Sequence, residues 1–207
     1  MRGIIKVCVM AVAVALAATA AQASLMHEDP AAIAAWQGTR HYQASDAIYL
    51  LDVDVDYAVY APGAYPGADP SGGTDYVYAY EIFNTVNAGS VEAGLLLVGL
   101  QQSSGARNIG LDVSSGAPGL AGGVTPDITY IGATGAGWSF SVDTVDYGED
   151  SVTLILTSLN GPTWQYASVA DGGLSAEREL PSPLPEPATL LLLTSGAVLT
   201  YFTRRRR

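Results

Sequence analysis

Between residues 47 and 59 the chain alternates. Odd positions Ala47, Tyr49, Leu51, Val53, Val55, Tyr57 and Val59 are apolar, and Asp52, Asp54 and Asp56 stand between them. Successive side chains of a strand point to opposite faces, so this pattern predicts a strand with one buried and one wet face. Further strands are predicted at 76–83, 95–100, 108–113, 128–131, 138–143, 152–157 and 164–169. Clusters of Gly, Pro, Asn and Asp separate them, at 62–73, 87–90, 103–105, 114–123, 132–137, 147–150 and 160–162. About eight strands at this spacing predict an all-β fold, an antiparallel β-sandwich or jelly-roll-like ectodomain. One short helix is expected at 31–37. Asp29 would cap it, Pro30 suits its first turn, Gly38 would end it, and Ile33 and Trp36 would pack on the sandwich.

The two ends read differently from the middle. Residues 1–23 have the layout of a secretory signal peptide: Arg2 and Lys6 at the start, an apolar stretch over 7–18, and Ala21-Gln22-Ala23 as a small-x-small cleavage site. The mature chain would begin at Ser24. The only cysteine, Cys8, would leave with the peptide, removing disulfides, thiol nucleophiles and cysteine metal ligands from consideration. At the other end, 169–187 reads as a polar, proline-rich linker. The expected body is therefore 24–180, with 181–187 joining it to a transmembrane segment at 188–203 and a basic end at 204–207. Residues 188–202 carry no charge. As a helix they reach roughly 22 Å, short of the ~30 Å bilayer core, so they would make a weak permanent anchor. Arg204, Arg205, Arg206 and Arg207 would act as a stop-transfer block on the cytoplasmic side. Pro185 and Pro187 keep the backbone around Glu186 extended and open to a protease. On physics alone, an ordinary anchor with a proline-rich linker fits equally well.

The order Pro185-Glu186-Pro187, then Ala188-Thr189-Leu190-Leu191-Leu192-Leu193, then the arginines 204–207, resembles the Pro-Glu-Pro C-terminal sorting signal (PEP-CTERM) of Gram-negative bacteria. The resemblance covers the tail from about Leu184 onwards. It implies processing by exosortase, a membrane-embedded cysteine transpeptidase-like enzyme, and a place in extracellular polysaccharide, biofilm or floc. Leu184 stands where Val is commoner in the family. The layout is also similar to the Gram-positive sortase signal, but Pro187 and Ala188 replace its Thr-Gly. In the middle, Tyr76-Val-Tyr-Ala-Tyr-Glu-Ile-Phe-Asn84 and Gly137-Trp138-Ser-Phe140 resemble, more loosely, the small β-rich ectodomains of such surface proteins.

Charge narrows the partners. Between residues 24 and 180 three arginines face 19 carboxylates, a formal charge of −16, and there is no lysine. Binding to nucleic-acid phosphates is excluded, and anionic lipid surfaces are disfavoured. Cations, neutral sugars and basic proteins remain compatible, although acidity alone also keeps an exported protein soluble.

Few residues offer chemistry. His27 and His41 are the only histidines, and no Gly-x-Ser-x-Gly elbow is present. The adjacent His27, Glu28 and Asp29 are poorly placed to converge on one metal ion. Asp143, Asp146, Glu149 and Asp150 cluster round one loop; a glycosidase would need two such carboxylates flanking a cleft, and a solvated loop explains them as well. Calcium is the site-level alternative. Asp52, Asp54 and Asp56 share one strand face, but successive ones stand ~7 Å apart, too far for all three to share one ion. Tyr57 and Gly63 also occupy positions where an EF-hand loop needs Gly and Glu. A charged solvent face that discourages edge pairing explains the same residues. Asp69 and Asp75, with their intervening glycines, are a second calcium candidate. Trp36, Trp138, Trp164 and twelve tyrosines offer rings for stacking on sugars, or simply core and cross-strand packing.

The expected protein is a non-enzymatic, exported surface or matrix protein. It would pass through an inner-membrane intermediate, meet an exosortase-type enzyme, and serve structure or adhesion in exopolysaccharide. A carbohydrate-binding module is the alternative, and a secreted polysaccharide-acting hydrolase the second alternative.

Overall fold

The computed structural model describes residues 26–185 apart from 103, 120, 121 and 172. The signal-peptide residues Ala21 and Ala23, the motif residues Glu186 and Pro187, the expected membrane segment and the four arginines lie outside the described residues. Among the described residues no helix is long and apolar enough to cross a membrane.

Ten strands form two antiparallel sheets. They are β1 (Gln37–Ser45), β2 (Leu50–Tyr60), β3 (Tyr76–Phe83), β4 (Leu95–Gly99), β5 (Ala106–Asp112), β6 (Ile128–Ile131), β7 (Gly135–Ser139), β8 (Thr153–Ser158), β9 (Pro162–Ala170) and β10 (Ser175–Pro183). One sheet has the order β1-β2-β3-β8-β5, the other β10-β9-β4-β7-β6. The chain changes sheet between β3 and β4, β4 and β5, β5 and β6, β7 and β8, and β8 and β9. That repeated crossing wraps both sheets round one core, as sandwich packing requires. The core is Val53, Val55, Tyr80 and Leu154 from the first sheet against Leu96, Trp138 and Val169 from the second. Two polar bonds lock the sheets together inside it. Tyr80 donates its hydroxyl to the Pro181 carbonyl at 2.6 Å, and Trp138 Nε1–H donates to the Gly110 carbonyl at 2.7 Å. Burial, with the nearby Tyr78 and Tyr42, raises the Tyr80 hydroxyl pKa well above the ordinary value.

Two strands were hidden from the alternation rule. β1 buries only Tyr42 fully, and its other side chains are polar or small. β10 reads Ser-Ala-Glu-Arg-Glu-Leu-Pro-Ser-Pro and lies where the sequence predicted a linker. Both are edge strands, where charge and proline are tolerated because one side of the backbone needs no partner. The body therefore runs to Pro183 rather than stopping at 180, and 181–183 belong to a strand. β2 starts at Leu50, not 47, because Asp46 closes a turn: its Oδ1 accepts from the Ile48 and Tyr49 N–H groups at 2.7 Å each. Ala47 and Tyr49, expected on the buried face, are exposed. β7 lies earlier than the expected 138–143: Gly135–Ser139 pairs with β4, and Phe140 N–H adds one further rung to the Gly94 carbonyl at 2.8 Å.

The expected helix at 31–37 is replaced by two 3-10 turns, Met26–Glu28 and Ala34–Trp36. Asp29 caps as expected, but it caps a turn. Its Oδ1 accepts from Ala31 N–H at 2.8 Å, while Oδ2 accepts from the Tyr60 hydroxyl at 2.8 Å. Ile33 N–H goes to the Val59 carbonyl at 2.8 Å, tying the segment to β2, while Ala32 N–H to Asp29 and Trp36 N–H to Ile33 close only its own short turns. Trp36 does pack as expected, against Trp164 with ring centroids 4.9 Å apart. Arg40 covers this seam between β1 and β10, its guanidinium 5.1 Å from the Trp164 ring centre.

Candidate functional site

The expected wet face of β2 is largely dry. Asp52 and Asp56 are buried, as are Ala58 and Tyr60 further along the same face. Met26 and Tyr65 close over that face to form a second apolar cluster with Val77, Ala79 and Ile155. The three aspartates are not gathered round an ion. β1 runs antiparallel to β2 with Thr39 opposite Asp56, His41 opposite Asp54 and Gln43 opposite Asp52. Each cross-strand pair is bonded: Thr39 Oγ1 to Asp56 at 2.5 Å, His41 Nδ1 to Asp54 at 2.9 Å, Gln43 Nε2 to Asp52 at 3.3 Å. His27 adds Nδ1 to Asp56 at 2.6 Å, and Asn87 adds Nδ2 to Asp52 at 3.3 Å. Among the described residues no group of three or more His, Cys, Asp and Glu is arranged to hold a metal ion. The carboxylates that suggested calcium are instead the acceptors of a polar ladder joining β1 to the sheet.

The second calcium candidate is resolved in the same way. Asp69 accepts from Ser71 N–H, Ser71 Oγ and Gly73 N–H, all within its own loop. Asp75 has no exposure and is gripped by the Arg107 guanidinium through both Nε and Nη2. Asp112 ties a third loop, accepting from the Tyr65 hydroxyl, Ala68 N–H and Ser114 N–H. Much of this chain's acidity is therefore internal stapling of loops.

The aromatic candidates divide. Trp138, Tyr78 and Tyr80 are fully buried, and Trp36 and Trp164 are half-buried, with Arg40 over the Trp164 ring. The exposed rings among the described residues are Tyr166, Tyr49, Tyr147 and Tyr130. A hollow of about 710 Å³ opens at one end of the sandwich, between the β1–β2, β3–β4, β7–β8 and β9–β10 connections. Tyr49 and Tyr147 line it, 53% and 50% exposed, together with Glu92, Asp146 and Asp171. Only Asp146 of the four-carboxylate loop lines this hollow. Glu149 accepts from Asp146 N–H at 3.1 Å, Asp143 is exposed, and Asp150 is half-buried, its carboxyl raised by burial and by Glu149.

The hollow's walls are fixed by backbone bonds. Val91 N–H donates to the Leu50 carbonyl at 2.7 Å, and Ala93 and Val145 exchange two bonds at 3.0 and 3.1 Å. Beneath them Asn84 is buried, and its Nδ2 reaches the carbonyls of Val91 at 3.0 Å and Val145 at 2.9 Å. Gly148, at φ +90°, closes the turn that presents Tyr147, its N–H donating to the Asn84 carbonyl at 2.8 Å. Asp127 braces the same connection, accepting from the N–H groups of Ser141 and Val142 at 2.6 and 2.7 Å; these bonds, that to Val142 foremost, hold its carboxyl below the usual range.

Sequence reasoning missed Tyr49, Glu92, Tyr147 and Asp171 as site residues. The available signal was an aromatic placed in or beside a turn cluster, where a core-facing strand position is not on offer. Of the sorting motif, only Pro185 is described. Leu184 N–H bonds to the Gly161 carbonyl at 2.8 Å, and Pro185 follows at once.

Comparison with protein-family models, with curated proteins and with solved structures found no match to this chain.

Proposed function

We propose that this is an exported, non-enzymatic surface or matrix protein. Its tail directs it through Pro-Glu-Pro sorting and exosortase processing, and its jelly-roll-like sandwich serves structure or adhesion in exopolysaccharide. The observation that carries the reading is the order of Pro185-Glu186-Pro187, an uncharged run and Arg204–Arg207. The position of the motif supports it. Among the described residues β10 ends at Pro183 and Leu184 N–H bonds to the Gly161 carbonyl, so a cut near Pro185–Pro187 leaves β10 intact. A body joined by polar ladders and no cysteine also suits life outside the cell without disulfide chemistry.

The test is fractionation of cells with and without an exosortase. The wild-type chain is expected in the membrane when the enzyme is absent and at the surface or in the medium when it is present. Replacing Pro185 and Pro187 by Ala together is expected to hold the chain in the membrane in both strains. Identical fractionation of wild type in the two strains would reject the sorting role.

The second reading, a carbohydrate-binding module, is favoured by one observation: two half-exposed tyrosines line a preformed hollow at the loop end.

A further inference from the structure

The loop-end hollow has a composition that selects its occupant. Its volume of about 710 Å³ lies within the range of small-ligand sites. Tyr49 and Tyr147 bring apolar ring faces, which are the surfaces that pack on the C–H faces of pyranose rings. Glu92 and Asp146 bring carboxylates, with Asp171 beside them, and among the described lining residues there is no Lys, Arg or His. Carboxylates accept hydrogen bonds and cannot donate them when ionised. A ligand for this site must therefore donate, and a positive charge on the donor shortens and strengthens each bond. Anionic sugars are repelled by the same three groups.

We propose that this hollow binds an oligosaccharide carrying protonated amines, of the glucosamine type. The tyrosine rings stack on sugar faces, and Glu92 and Asp146 accept from the ammonium and hydroxyl groups. The proposal deepens the reading of a glycan-contacting surface protein and rests on it for where such a polymer is met. The site is built before a ligand arrives. Asn84 ties the backbone next to Glu92 and the backbone next to Asp146 to one buried amide, and the Asp46 turn fixes Tyr49. Little ordering is left for binding to cost, which favours affinity in a shallow site.

The experiment is calorimetric titration of the full chain, in non-ionic detergent, with a glucosamine tetramer, its fully N-acetylated counterpart and tetralysine. The glucosamine tetramer is expected to bind at least about tenfold more tightly than the neutral tetramer, with affinity falling as salt rises. Tyr49→Ala and Tyr147→Ala should each weaken binding by about three- to tenfold, and Tyr49→Phe should restore it, since the ring and not the hydroxyl stacks. Glu92→Gln, at an exposed position, is the variant that keeps the test open should a tyrosine change unsettle the fold; it should weaken the amine-bearing tetramer and leave the neutral one unchanged. Absence of heat with the glucosamine tetramer would overturn the proposal. Equal affinity for the two tetramers would overturn the amine specificity. Tighter binding of tetralysine would assign the hollow to a basic peptide instead. Cell fractionation is independent of all three, so failure here leaves the sorting reading to stand or fall on its own.

Discussion

Asp75 shows what a single acidic residue does in this chain. It has no solvent exposure, yet stays ionised because Arg107 reaches it with two nitrogens while Thr74 and Thr157 donate at 2.9 and 3.1 Å. Those bonds, Arg107's foremost, hold its carboxyl below the ordinary range. A β-bulge makes the reach possible: the β5–β8 register shifts between Arg107 and Gly110, with Asn108 at φ +49°. Removing the cation leaves the buried Asp75 carboxylate without its partner, so Arg107→Ala is expected to lower the urea midpoint of unfolding at neutral pH. Because the folded pKa is depressed, the pair's contribution is complete above the unfolded carboxylate value of about 3.9 and is lost as pH falls through the folded value. The gap between wild type and Arg107→Ala should therefore be flat near neutrality and narrow in acid. An unchanged gap at low pH would show that Asp75 is not the group being paired. None of this was legible in the sequence, where Asp75 read as a loop carboxylate and Arg107 lay 32 positions away. Tyr49 and Tyr147 were only partly legible for a related reason: their turn clusters mark them as ring candidates, but which side of the hollow each ring faces depends on four connections meeting.

At the scale of elements, legibility followed position in the sheet. β3, β4 and β8 were readable within a residue or two, because central and core-facing strands must carry apolar side chains in register; β6, an exposed edge strand, was readable only because its short Ile-Thr-Tyr-Ile run favours a strand. β1 and β10 were not, because an edge strand is selected for polarity and proline rather than for alternation. The aspartates of β2 were misread as a wet face for the same reason. Once β1 is recognised as a partner, Thr39, His41 and Gln43 supply the donors that those carboxylates require. β10 also gives the sharpest test at this scale. Leu180 is fully buried in the common core, although it lies in what reads as a linker. Leu180→Ala is expected to destabilise the body by about 2–4 kcal/mol, measured by urea denaturation. A change below about 0.5 kcal/mol, the usual effect of a surface substitution, would show that the segment is a tether after all.

For the whole molecule, the sandwich and the tail divide the work. The sandwich joins its sheets by buried tyrosine and tryptophan bonds, staples its loops with aspartates, and opens a tyrosine-lined hollow at one end. In the proposed reading the tail carries the address, and the last described strand, β10, ends at Pro183, just before the motif. The shortness of the uncharged run over 188–202 then fits a temporary hold on the membrane. The central claim is that the chain is cut at both ends, and intact mass spectrometry of the protein recovered from an exosortase-bearing host tests it most directly. The account predicts a species beginning at Ser24 and ending within the Pro185–Pro187 region. A recovered mature protein that still carries Arg204–Arg207 would contradict it.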